Sequence, residues 1–190
     1  SIAISKIYPC MFPYPNHDVA VINIATSKDG CLPMPTASSG FNVTVNVTVS
    51  NTGDFSETFT VTLYANSSLI GSRNVVNLAS QNQLILTFAW NTSGFTYGNY
   101  TLTAFASIVQ DEINVYNNNY DTSSWILVTI PGDVNGDFKC EGKDNGLVSK
   151  AYDTRPGQPK WNPNADINGD GKVEGKDVGI IAKYYDTHYP

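Results

Sequence analysis

Two twelve-residue stretches hold most of the oxygen-donor chemistry that this sequence offers. Asp133-Val134-Asn135-Gly136-Asp137-Phe138-Lys139-Cys140-Glu141-Gly142-Lys143-Asp144 is the first. Thirty-three positions on comes Asp166-Ile167-Asn168-Gly169-Asp170-Gly171-Lys172-Val173-Glu174-Gly175-Lys176-Asp177. In both, oxygen-bearing side chains stand at positions 1, 3, 5, 9 and 12, and a lysine at 7 can offer its backbone carbonyl. Calcium takes roughly six to eight hard oxygen donors, and this is the EF-hand-like spacing that wraps them round one ion. A single Asp-x-Asn-Gly-Asp is weak evidence, because Asn-Gly and Asp-Gly also make ordinary turns. Two copies in one register, each ahead of a helical pattern, point to two calcium ions.

The elements that must hold these loops follow from periodicity. After the first loop, Leu147, Val148, Ala151 and Tyr152 recur at helical spacing; after the second, Ile180, Ile181, Tyr184 and Tyr185 do the same. Arg155-Pro156-Gly157-Gln158-Pro159 interrupts any helix between them, and Trp161 is expected to pack between the two helices. Upstream, the pattern changes to short strands. Val43-Thr44-Val45-Asn46-Val47-Thr48-Val49 alternates strictly, with four valines on one face. Val19–Ile24, Phe59–Leu63, a short Leu69-Ile70 segment, Leu84–Trp90, Tyr100–Ala106 and Trp125–Ile130 complete the series. The pattern predicts a mainly β chain: an immunoglobulin-like antiparallel β-sandwich over 18–130, followed by a small α module over 131–190. Tyr100, at the head of its strand, is a candidate tyrosine corner, with a plain core or rim tyrosine equally open. Residues 1–17 form an extension with strand-like Ile2–Tyr8 at its start. Only Pro131-Gly132 joins the two domains, which predicts a fixed mutual orientation.

Net charge is −6, and ten of the seventeen acids lie at or beyond Asp133, so the acidity belongs to the loops. No basic face is evident, which argues against nucleic acid as a partner. No apolar run approaches the length of a membrane span. The sequence begins at Ser1, consistent with a mature chain whose leader has been removed. Five sequons, at Asn42, Asn46, Asn66, Asn91 and Asn99, crowd the β part and favour a secreted, extracellular or cell-surface glycoprotein. Cys10 and Cys31 are candidates for a disulfide in an oxidising compartment. Cys140 stands where the second loop has Val173; it reads as a small buried hydrophobe, ahead of an intermolecular disulfide.

With these residues in view, 131–187 resembles a dockerin-type calcium module, including that family's aspartate at position 12 (Asp144, Asp177). The resemblance implies that Asp133, Asn135, Asp137, the Lys139 carbonyl and Asp144 bind one ion, with Glu141 near it or joined through water. Asp166, Asn168, Asp170, the Lys172 carbonyl, Asp177 and Glu174 would bind the other. Two departures stand out. Phe138 replaces the glycine of position 6, at a cost of about 1–2 kcal/mol if it must be left-handed. Positions 10 and 11, small hydroxyl residues facing cohesin in cellulosomal dockerins, are Gly142-Lys143 and Gly175-Lys176 here. Residues 18–130 are similar to CARDB domains, the adhesion-related sandwiches of microbial surface proteins. The carriers are Asp18-Val19-Ala20-Val21, Asn42–Val45, Val49-Ser50-Asn51-Thr52-Gly53 and Asn117-Asn118-Asn119.

No enzyme is expected. Only His17 and His188 are present, and no nucleophile motif or zinc pattern appears. The favoured expectation is a calcium-stabilised structural subunit of a surface filament or scaffold. It would assemble head-to-tail with identical subunits by donating its N-terminal strand. Anchoring to a cohesin-like receptor ranks second, and a cell-adhesion domain third.

Overall fold

A computed structural model describes residues 15–31 and 34–189. Eight strands build the N-terminal body: β1 (Val19–Thr26), β2 (Thr36–Ser38), β3 (Asn42–Asn51), β4 (Glu57–Ala65), β5 (Ser68–Leu78), β6 (Gln83–Asn91), β7 (Gly98–Ala106) and β8 (Asn119–Thr129). They form a three-stranded sheet in the order β1-β3-β6 and a five-stranded sheet in the order β2-β8-β7-β4-β5. Alternation in β3 does what it predicts: Val43, Val45, Val47 and Val49 are all buried between the sheets. Fully burying each is worth about 1.5–3 kcal/mol. Phe59, Val61 and Leu63 of β4, Phe88 and Trp90 of β6, and Leu102 and Ala104 of β7 close the same core.

Two details differ from the sequence expectation, and one alternative it left open is decided. The sheet is not wholly antiparallel, because β2 runs parallel to β8, pairing Thr36 with Leu127 and Ser38 with Thr129. A three-residue strand is too short to show a period, so β2 left no signal. The short Leu69-Ile70 segment is the start of an eleven-residue strand. β5 lies at a sheet edge, where Arg73, Asn74 and Asn77 tolerate solvent and hide the alternation. The Tyr100 hydroxyl donates to the Thr96 carbonyl at 2.9 Å, four residues upstream, which is the tyrosine-corner arrangement.

Beyond β8 come β9 (Lys139–Cys140), α1 (Gly142–Ala151), α2 (Gly175–Tyr184) and β10 (Thr187–His188). Val148, Ala151, Ile167, Val173, Ile181 and Cys140 form a second core, which Ile130, Phe41 and Tyr97 join from the sandwich side. Trp161 is half-buried against this core and also lines a cleft with Thr26, Ser27 and Thr44 of the sandwich. The strand-like segment Ile2–Tyr8 and Cys10 lie outside the described residues.

Candidate metal centre

Each loop is drawn shut by its position-12 carboxylate. Asp144 Oδ1 accepts from Val134 N (2.8 Å) and Asn135 N (3.1 Å), and its Oδ2 accepts from Glu141 N (2.9 Å). Asp177 repeats the pattern on Ile167, Asn168 and Glu174 at 2.8, 3.3 and 2.8 Å. This carboxylate is also the N3 residue of the helix that follows, bonding back to the N-cap amide as in a capping box. Loop closure and helix start therefore share one side chain.

Position 1 orients the other half. Asp133 accepts from Gly136, Asp137 and Phe138 amides, and Asp166 from Gly169, Asp170 and Gly171. The Asn135 and Asp137 side chains accept from the amides two residues on, as do Asn168 and Asp170. A carboxylate has about four lone-pair sites, so Asp166 keeps one for an ion, whereas Asp133, which also accepts from Thr129 Oγ1 at 2.5 Å, would give up one bond to take an ion. In the first loop, the Phe138 and Cys140 carbonyls are taken by Tyr189 N (3.0 Å) and Asp186 N (2.8 Å). Alternation along the strand turns the intervening Lys139 carbonyl the other way. The second loop matches: Asp153 N meets the Val173 carbonyl at 2.8 Å. Each residue just past a helix thus pins position 8 of the opposite loop.

The chemistry of the donors fits a hard cation. Asp144 and Asp177 are 0% exposed, and no cationic side chain pairs with positions 1 or 12 among the described residues. Burial raises the Asp133 carboxyl above its ordinary range, and the charge of Asp144 adds to that. Burial likewise raises Asp166, with Lys28 opposing and Asp177 and Asp170 reinforcing. Such crowded carboxylates are costly unless a positive charge sits between them. No three His, Cys, Asp or Glu side chains among the described residues form a metal-holding cluster by themselves. An ion here must draw on the Asn and main-chain oxygens as well. The position-9 acids face lysines: Glu141 lies 2.8 Å from Lys143 and Glu174 2.9 Å from Lys176. The same lysines also reach the position-5 acids, Asp137 at 3.6 Å and Asp170 at 2.9 Å, so this pairing does not rank position 9 below position 5.

Phe138 takes a left-handed conformation (φ 61°), matching Gly171 (φ 83°) in the second loop. Its ring leans on Tyr189, with centroids 6.0 Å apart. Left-handed backbone costs a non-glycine residue about 1–2 kcal/mol. Phe138→Gly is expected to tighten the first ion by about five- to thirtyfold, since ~1.4 kcal/mol is tenfold, measured by calcium calorimetry. A weaker first ion would show that the Tyr189 contact outweighs the strain.

The sandwich supplies what the motif does not contain. Lys28, in the turn after β1, is 3% exposed and donates from Nζ to the Pro163 and Asp166 carbonyls, each at 2.7 Å. Its pKa is lowered by burial, with Asp166, Cys31 and Asp177 opposing that shift. Asn164 Oδ1 accepts from Thr36 N at 2.9 Å, while its Nδ2 donates to the Met34 and Val134 carbonyls. A Cβ on Gly169 would overlap the Asn42 carbonyl, and one on Gly136 would crowd Met34 and Leu127. Both loops therefore lie with their position-4 glycines against the sandwich. A lone lysine beside Asp29-Gly30 reads in sequence as a solvated turn; nothing there signals its destination.

The cysteines divide. Cys140 is fully buried, with its thiol turned to the Ile181 carbonyl, and burial pushes its pKa up to about 11. This is the small-hydrophobe role. Cys31 is buried too, its thiol also pushed up to about 11 by burial, and it is not bonded to Cys140. Of the sequons, Asn42, Asn66, Asn91 and Asn99 are exposed and Asn46 is half-buried. Asn66 spends its amide on the Asn99 carbonyl and its oxygen on Thr101 N.

A β-sandwich with a paired loop–helix module seated on one end is the class of protein these features define. The CARDB family model matches residues 24–122, just over half of the sequence, and the chain belongs to that family. The Dockerin type I domain model follows over residues 131–185. Among solved structures, the sandwich is similar to a CARDB domain from Pyrococcus furiosus solved with di-metal ions. Identity is 21% over 60% of this chain and 97% of that one, with a TM-score of 0.46. A domain of a cell surface protein from Methanosarcina acetivorans is 22% identical over 60% and 92% of the two chains, with a TM-score of 0.45. No curated protein matches. CARDB and dockerin domains are non-catalytic modules typical of extracellular or cell-surface proteins, and dockerin type I domains bind calcium and cohesins. No helix among the described residues is long and apolar enough to cross a membrane.

Proposed function

We propose that this chain is an extracellular anchoring module. Two calcium ions would hold its loops: one on Asp133, Asn135, Asp137, Asp144 and the Lys139 carbonyl, the other on Asp166, Asn168, Asp170, Asp177 and the Lys172 carbonyl. The ions supply structural cross-linking and no reaction. The module's open face would meet a cohesin-like receptor. One observation carries this reading: the loop backs are spent on the sandwich, while both helix starts are left open. Lys143 and Lys176 keep side-chain exposures of 71% and 67%, and Tyr152 and Tyr185 are exposed beside the opposite helix starts. Glycine and lysine in place of small hydroxyl residues, with Tyr152 and Tyr185 exposed beside them, imply a receptor with an acidic, aromatic-accepting face rather than a cellulosomal one. The test uses purified cohesin domains of differing surface charge, immobilised and probed with the whole chain. Binding in calcium, lost in EGTA and in the Lys143→Glu/Lys176→Glu pair, is expected. Binding indifferent to both changes, or none to any cohesin, removes this reading.

Filament assembly through a donated strand keeps one favourable observation. β1 is a sheet edge, and the cleft beside it is lined by Ile24, Leu102, Tyr120 and Ile126. An incoming strand would find main-chain partners and apolar cover there. The donor, Ile2–Tyr8, lies outside the described residues. Deleting residues 1–8 should abolish any concentration-dependent assembly seen by light scattering; unchanged assembly excludes strand donation.

A further inference from the structure

The sandwich holds a second group of oxygens, on buried Asp18 and Asn118 and half-buried Glu112 and Asn117, at the end of β3 remote from the loops. Asp18 precedes β1 directly, and Glu112, Asn117 and Asn118 lie on the connection from β7 to β8. Glu112 Oε1 accepts from Val19 N at 2.8 Å, and its Oε2 from Val109 N at 2.9 Å and Asn118 Nδ2 at 3.0 Å. Asn117 Nδ2 donates to Asp18 Oδ1 at 2.8 Å. Both amides have therefore turned their nitrogens to the acids. Their oxygens are shut from solvent and meet no donor, although Asn118 is 0% exposed. Among the described residues, no lysine or arginine pairs with Asp18 or Glu112; the one nearby ion pair joins His17 to Glu57.

The group has too many acceptors and too much negative charge. A buried carbonyl without a donor is costly, and most such groups in native proteins find a partner. Water would satisfy the two amide oxygens and leave the carboxylates uncompensated; a cation does both. The available donors are all oxygen, which selects a hard ion over zinc or copper. We propose that Asp18, Glu112, Asn117 and Asn118 form a third calcium site, independent of the loops. The ion ties the β7–β8 connection to the start of β1, fixing the stretch that carries Ile113 and Tyr116 to the surface.

Native mass spectrometry of the whole chain in calcium tests this by counting ions. Three are expected in the wild type and two in Asp18→Asn. One is expected in the Asp144→Ala/Asp177→Ala pair, so the sandwich site is read separately even if the loops prove empty. No ion in that pair, or an Asp18→Asn count equal to wild type, overturns the proposal. Terbium-soaked crystals of the wild-type chain give a readout that survives a misfolded variant. An anomalous peak about 2.4 Å from Asn118 Oδ1 is expected for a calcium-like ligand distance; a featureless water there overturns it.

Discussion

Removing calcium with EGTA should lower the melting temperature of this chain more than any single substitution away from the loops. A ligand held only by the folded state adds about 2.7 kcal/mol per site at a hundredfold excess over its dissociation constant. Two filled loops would then contribute about 5 kcal/mol, a large part of a typical domain's stability. The loss should spread beyond the loops. Asp144 and Asp177 close their loops and start α1 and α2 at once, and those helices supply Val148, Ala151 and Ile181 of the second core. The size of the effect should depend on pH, with a definite sign. Burial raises Asp133 and Asp166, so in the ion-free chain the folded state binds protons more tightly than the unfolded state. Its stability therefore falls as pH rises through the window above the ordinary carboxylate range. In calcium, protons compete with the ion for those same carboxylates. The gap between melting curves in calcium and in EGTA should narrow steadily from neutral pH toward pH ~5. Superimposable curves at pH ~7 would remove the calcium reading of the loops.

Lys28 is expected to give the largest effect of any residue outside the loops. Lys28→Ala leaves the Pro163 and Asp166 carbonyls buried without a donor and empties the space of the stem. Hydrogen bonds from a charged donor contribute about 1.5–3 kcal/mol each, offset here by the cost of keeping an ammonium out of water. A net loss of about 2–4 kcal/mol in urea unfolding at saturating calcium follows. Lys28→Met keeps the stem and isolates the charge, so it should recover part of that loss. The informative readout is the shape of the transition. With the ammonium in place the two cores share one seam through Phe41, Tyr97 and Ile130. Without it, the C-terminal module should unfold earlier, splitting a single transition into two. A Lys28→Ala chain that melts as the wild type does would show that the anchor is dispensable.

The strands, loops and helices differ in how legible they were, for physical reasons. Period-2 alternation marks a strand only when one face is buried and the other wet, which holds for β3 and fails for β5 at its exposed edge. β2 depends on β8 for its partner, and no three-residue segment declares a parallel neighbour. The tyrosine corner was open at Tyr100 because its acceptor is a backbone carbonyl, which every residue has. The loops were plain because metal ligation demands fixed donor types at fixed spacing within one short segment.

Sequence alone determined the local chemistry: two donor-spaced loops, the helices after them, the strain at Phe138 and the valine face of β3. These are set by residues within a turn or two of one another, so side-chain type and spacing suffice. Only the tertiary structure decided what the loops rest on. Lys28 reaches the second loop across a separation of 138 residues, and Gly169 meets a carbonyl of β3. It also turned Asn117 and Asn118 onto Asp18 and Glu112, with two amide oxygens left facing no donor. Such contacts form when two packed surfaces bring distant segments together, and a lysine, a glycine or an asparagine looks the same in the chain whichever surface it will meet.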